Sequence, residues 1–445
     1  MQTARDAART IAQLLLSGPF DEPAVWERLR PLAGRRRWLR FCIRRMLTAW
    51  KGTGHPSSAW IIDFLLSDAR FQASWPTLRT PEPRMSPAAG APLQWPVPSL
   101  GTPDEVATWL AVSHRELEAR ADTWGREART PAGPMRNFDY SWRGKRSGAA
   151  RLIEAPRPRL RSLQRKVLHG VLDAIPPHDA AHGFRRGRSV ATFTAPHVGK
   201  QIVVRMDLRD FFASIHRAQI QAIFATAGYP PAVAKLLAAL CWNAAPDDIW
   251  LDFPGTLPDD LGRLPAARLY RRPHLPQGAP TSPAVANLCA YRLDCRLAGL
   301  ARSAGAAYTR YADDLLFSGD ADFARTARRF TLHVAAIARE EGFAAHPRKT
   351  RLMRQGVRQF AAGVVLNERP NVPRRDYERL KAILHRAARI GPSPSAGETL
   401  MTYRARLAGK IAWVASISPR RGEKLQAVFE QIDWGRPNVG HSLCE

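Results

Sequence analysis

Apolar residues in the first 75 positions recur at helical spacing. Residues 8–16 form an amphipathic stretch, residues 23–32 start behind an Asp-Glu-Pro cap, and residues 38–50 alternate apolar and basic side chains. Arg36, Arg40 and Arg44 fall one turn apart, on a face that is either solvated or open to nucleic acid. Prolines at 76, 81, 83, 87, 92, 96, 98 and 103 then break every period, so residues 76–102 read as a linker behind an N-terminal helical extension, residues 1–75. Thr102-Pro103-Asp104-Glu105 caps a helix expected to run to about residue 121. A hairpin pattern follows at 145–156 and a helix at 160–172. Residues 201–215 form a strand that ends on Asp207, followed by Phe211 and Phe212. Residues 217–242 read as mostly helical, 247–273 as an irregular insertion, and 275–283 as a loop of small residues entering an apolar helix, 284–298. Two strand-like runs in 308–319 meet at Asp313-Asp314, a hairpin with acids at its tip. A helix at 321–341, a strand pair at 359–367 and three helices at 374–434 complete an α+β pattern.

Charge sharpens this picture. With 67 Lys and Arg against 39 Asp and Glu, the 445-residue chain carries a formal charge of +28, a field that concentrates polyanions and points to nucleic acid. Cys42, Cys241, Cys289, Cys295 and Cys444 are scattered without a Cys-x-x-Cys pair, which fits neither a disulfide framework nor a zinc site. With no long apolar run, a cytoplasmic protein without a membrane partner is expected.

Asp-Asp between two strands is, by itself, more often a solvated turn than a metal site. The Asp207 strand changes the balance, because two strands that each deliver acid at one end can lie side by side and bring three carboxylates to one point, enough to hold two magnesium ions. Asp210 is a further acid, read as an exposed side chain or an ion pair at the strand end. Lys145 and Arg151 lie on the two arms of the basic hairpin, which is either a triphosphate clamp or an exposed loop. Arg185 and Arg188 lie in a glycine-punctuated basic loop suited to a phosphate track.

In order along the chain stand Asp207-Leu208-Arg209-Asp210-Phe211-Phe212, Pro276-Gln277-Gly278-Ala279-Pro280-Thr281-Ser282-Pro283, Tyr311-Ala312-Asp313-Asp314, and Lys349 after Gly342-Phe343. This series resembles the motifs of a reverse transcriptase, most of all the bacterial retron-type branch. Ala181-His182-Gly183-Phe184, Val198-Gly199-Lys200 and Asn371-Val372-Pro373-Arg374 are similar to that branch's flanking sequence. The resemblance implies a right-hand polymerase fold, with fingers and an antiparallel palm over residues 103–365 and a helical thumb over 366–445. It implies an RNA-directed DNA polymerase working on an RNA template, a DNA primer and deoxynucleoside triphosphates, with two Mg2+ ions, a structured non-coding RNA as a further partner, and a family role in antiphage defence.

By the same resemblance, Asp207, Asp313 and Asp314 hold the metals and Lys349 serves the leaving pyrophosphate. Lys145 and Arg151 grip the triphosphate, Phe212 closes against the sugar 2′ position, and Gln277 and Gly278 line the nucleotide site. Arg374, Arg375 and Lys381, with Arg379, Arg386 and Arg389, put bases on the first thumb helix for the backbone of an RNA–DNA hybrid. Two departures stand out. Phe193-Thr194-Ala195-Pro196-His197 keeps only the His of the branch's Asn-Ala-x-x-His, and Ala361-Ala362-Gly363 replaces Val-Thr-Gly, elements associated with the retron's own RNA. A group II intron-type reverse transcriptase and a non-catalytic nucleic-acid scaffold are the competing readings.

Overall fold

Strand β3, Ile202–Asp207, is an inner strand of the main sheet in the computed structural model, which describes residues 3–16, 20–33, 36–52, 56–78, 95–144, 150–254 and 263–435. Lys145, Cys444 and most of the proline-rich linker lie outside the described residues. The chain divides into two units, residues 1–87 and 88–445.

The first unit consists of helices Ala4–Leu16, Glu22–Ala33, Arg37–Ala49, Ser58–Ser67 and Ala69–Ser74, closed on a core that includes Ile11, Leu15, Leu29, Leu39, Ile43, Met46, Leu65 and Phe71. Arg40 and Arg44 both reach Glu22, Arg44 at 2.5 Å, so this basic face is partly spent on an internal ion pair. Buried Asp68 caps the last helix through the amides of Arg70 and Phe71 and pairs with Arg45 at 2.9 Å.

In the second unit, β1, Phe138–Gly144, pairs antiparallel with β2, Ala150–Pro156. The main sheet is antiparallel with order β4-β5-β3-β6, where β4 is Ala307–Tyr311, β5 Asp314–Gly319 and β6 Arg351–Arg354. Strand alternation explains how it is used. Ile202, Val204 and Met206 of β3, with Leu315 and Phe317 of β5, face a core built with helices such as Ala321–Glu340 and Tyr291–Ser303. Val203 and Leu316 face the opposite way, into a second core with Tyr377, Leu380, Leu384, Leu407 and Ile411 from helices Arg374–Ile390 and Leu400–Ile417. Further along that second face stand Arg205 and Asp207 on β3 and Asp314 on β5, so one side of the sheet passes from apolar to charged within one strand length.

Several expected elements differ. The helix from residue 102 is two, Pro103–Leu110 and His114–Arg120, because Ala111 turns left-handed and Ser113 caps a new start. The 217–242 segment breaks at Gly228 and Pro230 into Arg217–Thr226 and Pro231–Ala239. The apolar helix at 284–298 is Ser282–Cys289 and Tyr291–Ser303. The 247–273 insertion contains the helix Arg263–Tyr270. Strand β6 is an addition, since Arg-Leu-Met-Arg is too short and too basic to read as a strand without β3 beside it. The strand pair at 359–367 reduces to β7, Phe360–Ala361, and β8, Val364–Val365, joined through Ala362 and Gly363, both at positive φ.

Candidate active site

Strands β4 and β5 are joined by Ala312 and Asp313 alone, with Tyr311 paired to Asp314. Ala312 adopts φ of 55°, a left-handed conformation that costs an alanine about 1–2 kcal/mol. The surroundings impose it. Arg310, fully buried, forks onto Asp294 at 2.6 and 2.8 Å and donates to the carbonyl of Ala312 at 3.1 Å. Gly183 lies so close that a Cβ there would come within 2.7 Å of the Ala312 nitrogen, which explains a glycine at that position.

Register places Asp207 directly opposite Asp314, and Asp313 in the adjoining turn. Each of the paired acids has its own base. Lys349 Nζ lies 2.8 and 3.0 Å from the two oxygens of Asp207, and Arg205 forks onto Asp314 with contacts of 2.8–2.9 Å. Arg205 reaches its partner because it is two residues from Asp207 on the same face, a diagonal neighbour of Asp314. Asp313 has no ion-pair partner among the described residues. Burial, followed by the charges of Asp207 and Asp314, pushes its carboxyl above the usual range. Burial also raises Asp314, with Arg205 opposing it. Among the described residues no three His, Cys, Asp or Glu side chains converge tightly enough to form a metal-holding group, and two of the three acids here are each paired with a base.

Segment 343–349 is bound to the end of β3 through Arg209 N to Ala344 O and His346 N to Asp207 O, both 2.7 Å, which carries the exposed Lys349 to Asp207. Phe212 is half-buried, with its ring 5.6 Å from Phe211 and 6.1 Å from Phe184. Phe211 belongs to the core. Asp210, at φ of 47°, lies 3.9 Å from Arg209.

The Gln277-Gly278 loop lies on β2. The Gln277 carbonyl accepts from Glu154 N at 2.9 Å, and a Cβ on Gly278, at φ of 135°, would sit 2.8 Å from the Glu154 carbonyl. Arg151, exposed, shares a strand face with Ile153, whose Cγ2 would lie 3.4 Å from a Cβ on Gly278. Buried Glu154 accepts from Asn243 at 2.7 Å and pairs with His274 at 2.8 Å. Burial works against a charge on His274, but Glu154 overcomes it and holds the imidazole above its ordinary range. Sequence reading missed Arg205, Asp294, Arg310, Glu154 and His274. The signal for Arg205 was its place two before Asp207; the others are long-range pairings with no local pattern.

Arg185 leans on Asp179 and Arg188 is exposed, while Arg374, Arg375 and Lys381 lie exposed on helix Arg374–Ile390, so these bases are not part of the acid cluster. His197 is fully buried, with Nδ1 2.7 Å from Ser318 Oγ and Nε2 2.8 Å from Thr309 Oγ1. It braces the back of β4 and β5.

Residues 143–372, just over half of the chain, match the family described as reverse transcriptase (RNA-dependent DNA polymerase). The chain is 40% identical over 285 residues to the Retron Mx65 reverse transcriptase of Myxococcus xanthus, covering 63% of this chain and 61% of that one. It is 35% identical over 303 residues to the Retron Mx162 reverse transcriptase of the same organism, covering 65% and 59%. Against the Retron Ec86 reverse transcriptase of Escherichia coli it is 29% identical over 236 residues, covering 53% and 64%. The chain thus spans about three fifths of the length of these relatives. Among the described residues no helix is long and apolar enough to cross a membrane.

Proposed function

The chain belongs to the reverse transcriptase family, and from that premise we propose that it is a retron-type RNA-directed DNA polymerase, extending a DNA primer on an RNA template. The observation that carries this reading is the convergence of Asp207, Asp313 and Asp314 at one end of the sheet, from two strands and a turn far apart in sequence.

The donor set fits a hard divalent cation. Three carboxylates offer oxygen ligands only, and Asp313, crowded by two like charges, has no ion-pair partner among the described residues. Asp207, Asp313 and Asp314 would hold two magnesium ions, which when bound neutralise charge building on the attacking and leaving oxygens of phosphoryl transfer.

The chain's own side chains do the rest. Lys349, paired with Asp207 in the structure, would offer its ammonium to the leaving pyrophosphate. Arg205 keeps Asp314 ionised and oriented. Arg151, together with Lys145, grips the triphosphate, a task suited to the guanidinium fork. Phe212 closes against the sugar, and the Gln277-Gly278 backbone, fixed on β2, lines the nucleotide site. In this reading β1, β2 and their helices are fingers, the four-stranded sheet is the palm, and the helices from Arg374 onward form a thumb whose exposed bases follow an RNA–DNA hybrid. Residues 1–75 remain an extension to the polymerase. The same proposal extends to a cognate structured RNA as partner, a role in antiphage defence and a cytoplasmic location.

The test is magnesium-dependent extension of a DNA primer on an RNA template by the purified chain. Wild-type extension, lost in Asp207→Asn and Asp313→Asn variants that remain folded, supports the reading. Extension that survives either substitution overturns it, as does a wild type that binds the duplex and never extends it.

A further inference from the structure

Phe184 has three properties that do not usually occur together. It adopts φ of 58°, a conformation that glycine and asparagine tolerate and a bulky aromatic does not. It is 49% exposed, so burial of its ring does not compensate the strain. Its ring also lies 6.1 Å from Phe212 and 6.3 Å from Tyr311, bridging the residue proposed to meet the sugar of the incoming nucleotide and the residue that enters the Ala312-Asp313 turn.

The backbone leading to Phe184 is fastened to that turn. His182 N donates to Arg310 O at 2.8 Å, Arg310 N to Ala180 O at 2.7 Å, and Asn287 Nδ2 to Gly183 O at 2.9 Å. Gly183 then permits the close approach to Ala312 described above. A strained side chain on a rigid mount, half in solvent beside the acids, reads as a ring held out for a ligand.

We propose that Phe184 is a nucleobase-binding residue whose exposed ring packs on the base of the primer-terminal nucleotide. Its place between Phe212 and the Ala312-Asp313 turn selects that nucleotide, because the reacting 3′ end lies between the incoming sugar and the acids. This assignment rests on the polymerase reading, but it concerns binding and is tested without catalysis. An aromatic face suits any base, so the contact is independent of sequence.

The test is a double-mutant cycle between protein and duplex, read as equilibrium binding of a labelled DNA primer on an RNA template, without nucleotides. Phe184→Asn tolerates the left-handed backbone and removes the ring, and Phe184→Tyr keeps the ring. The duplex is used intact, with an abasic primer terminus, or with an abasic site in the template opposite. Wild type is expected to lose about tenfold in affinity on the abasic terminus, Phe184→Asn to bind the intact duplex about tenfold more weakly with no further loss on the abasic one, and Phe184→Tyr to match wild type. The melting temperature of Phe184→Asn should not fall, since strain is released. Additive losses, coupling to the template site instead of the primer terminus, or a Phe184→Asn chain that melts earlier and binds the intact duplex normally would each overturn the assignment. Primer extension by wild type is scored separately, so a failed polymerase reading and a failed Phe184 contact give different results.

Discussion

Asp207 and Asp314 are direct cross-strand partners between β3 and β5, and each is neutralised by a different base, Lys349 on one side and Arg205 on the other. Two carboxylates in register would repel. Because Arg205 is only partly exposed and forks onto Asp314 with both nitrogens, Arg205→Ala is expected to lower unfolding stability by about 1–3 kcal/mol, measured by denaturant titration. Arg205→Lys should recover only part of this, since an ammonium cannot reproduce the fork. Equal stability of wild type and Arg205→Ala would mean that the pair does not matter to the fold.

Asp313 stands between two like charges and has no ion-pair partner among the described residues. Asp313→Asn should therefore melt no earlier than wild type while losing primer extension by a hundredfold or more, about the scale of removing a principal electrostatic group from an active site. Thermal melting and single-turnover extension on the same preparation check both halves.

His197 and His182 are expected to make the fold sensitive to acid. Burial, aided by His182 and Lys200, holds its imidazole down at about 3, and burial with Arg188 and Arg185 holds His182 at about 4, against 6.5 for a free imidazole. Both folded values are depressed, so the unfolded chain takes up protons first. The stabilising contribution is complete above pH 6.5 and is lost progressively as the pH falls toward 4 and then 3. Denaturation midpoints measured from pH 7 to 4.5 should decline in wild type and decline less steeply in His197→Asn.

Phe212 is held by Phe211 and Phe184 at ring distances of 5.6 and 6.1 Å, which leaves its position little freedom. Phe212→Val is expected to raise the use of ribonucleotides relative to deoxynucleotides by about tenfold to a hundredfold, read as the ratio of kcat/KM values. An unchanged ratio would assign the ring to the core alone.

The exposed bases of helix Arg374–Ile390 predict a salt effect. If Arg374, Arg375 and Lys381 each meet a phosphate, replacing one by alanine should reduce the slope of log affinity against log salt by about one, and weaken binding equally on unrelated sequences. A change in sequence preference instead would point to base contacts.

The sequence by itself determined the two acidic strands, the loop at 275–283, the basic terminal helices and the family to which they belong, because these are local patterns: alternation, caps, and short runs whose residue types carry their own chemistry. It also identified Asp207, Asp313, Asp314 and Lys349 as the residues to watch, and the fold brings these four together. Only tertiary structure decided which base neutralises which acid, since Lys349 and Asp207 are 142 positions apart and Arg205 and Asp314 109. It decided that β6 exists, because an edge strand of four residues is stabilised by the ladder it joins and not by its own propensity. It turned His197 from a motif remnant into a buried brace, and placed Glu154 and His274 together beneath the Gln277-Gly278 loop. Pairings of this kind depend on desolvation and on distance through space, quantities that a linear pattern does not contain until the strands have found their register.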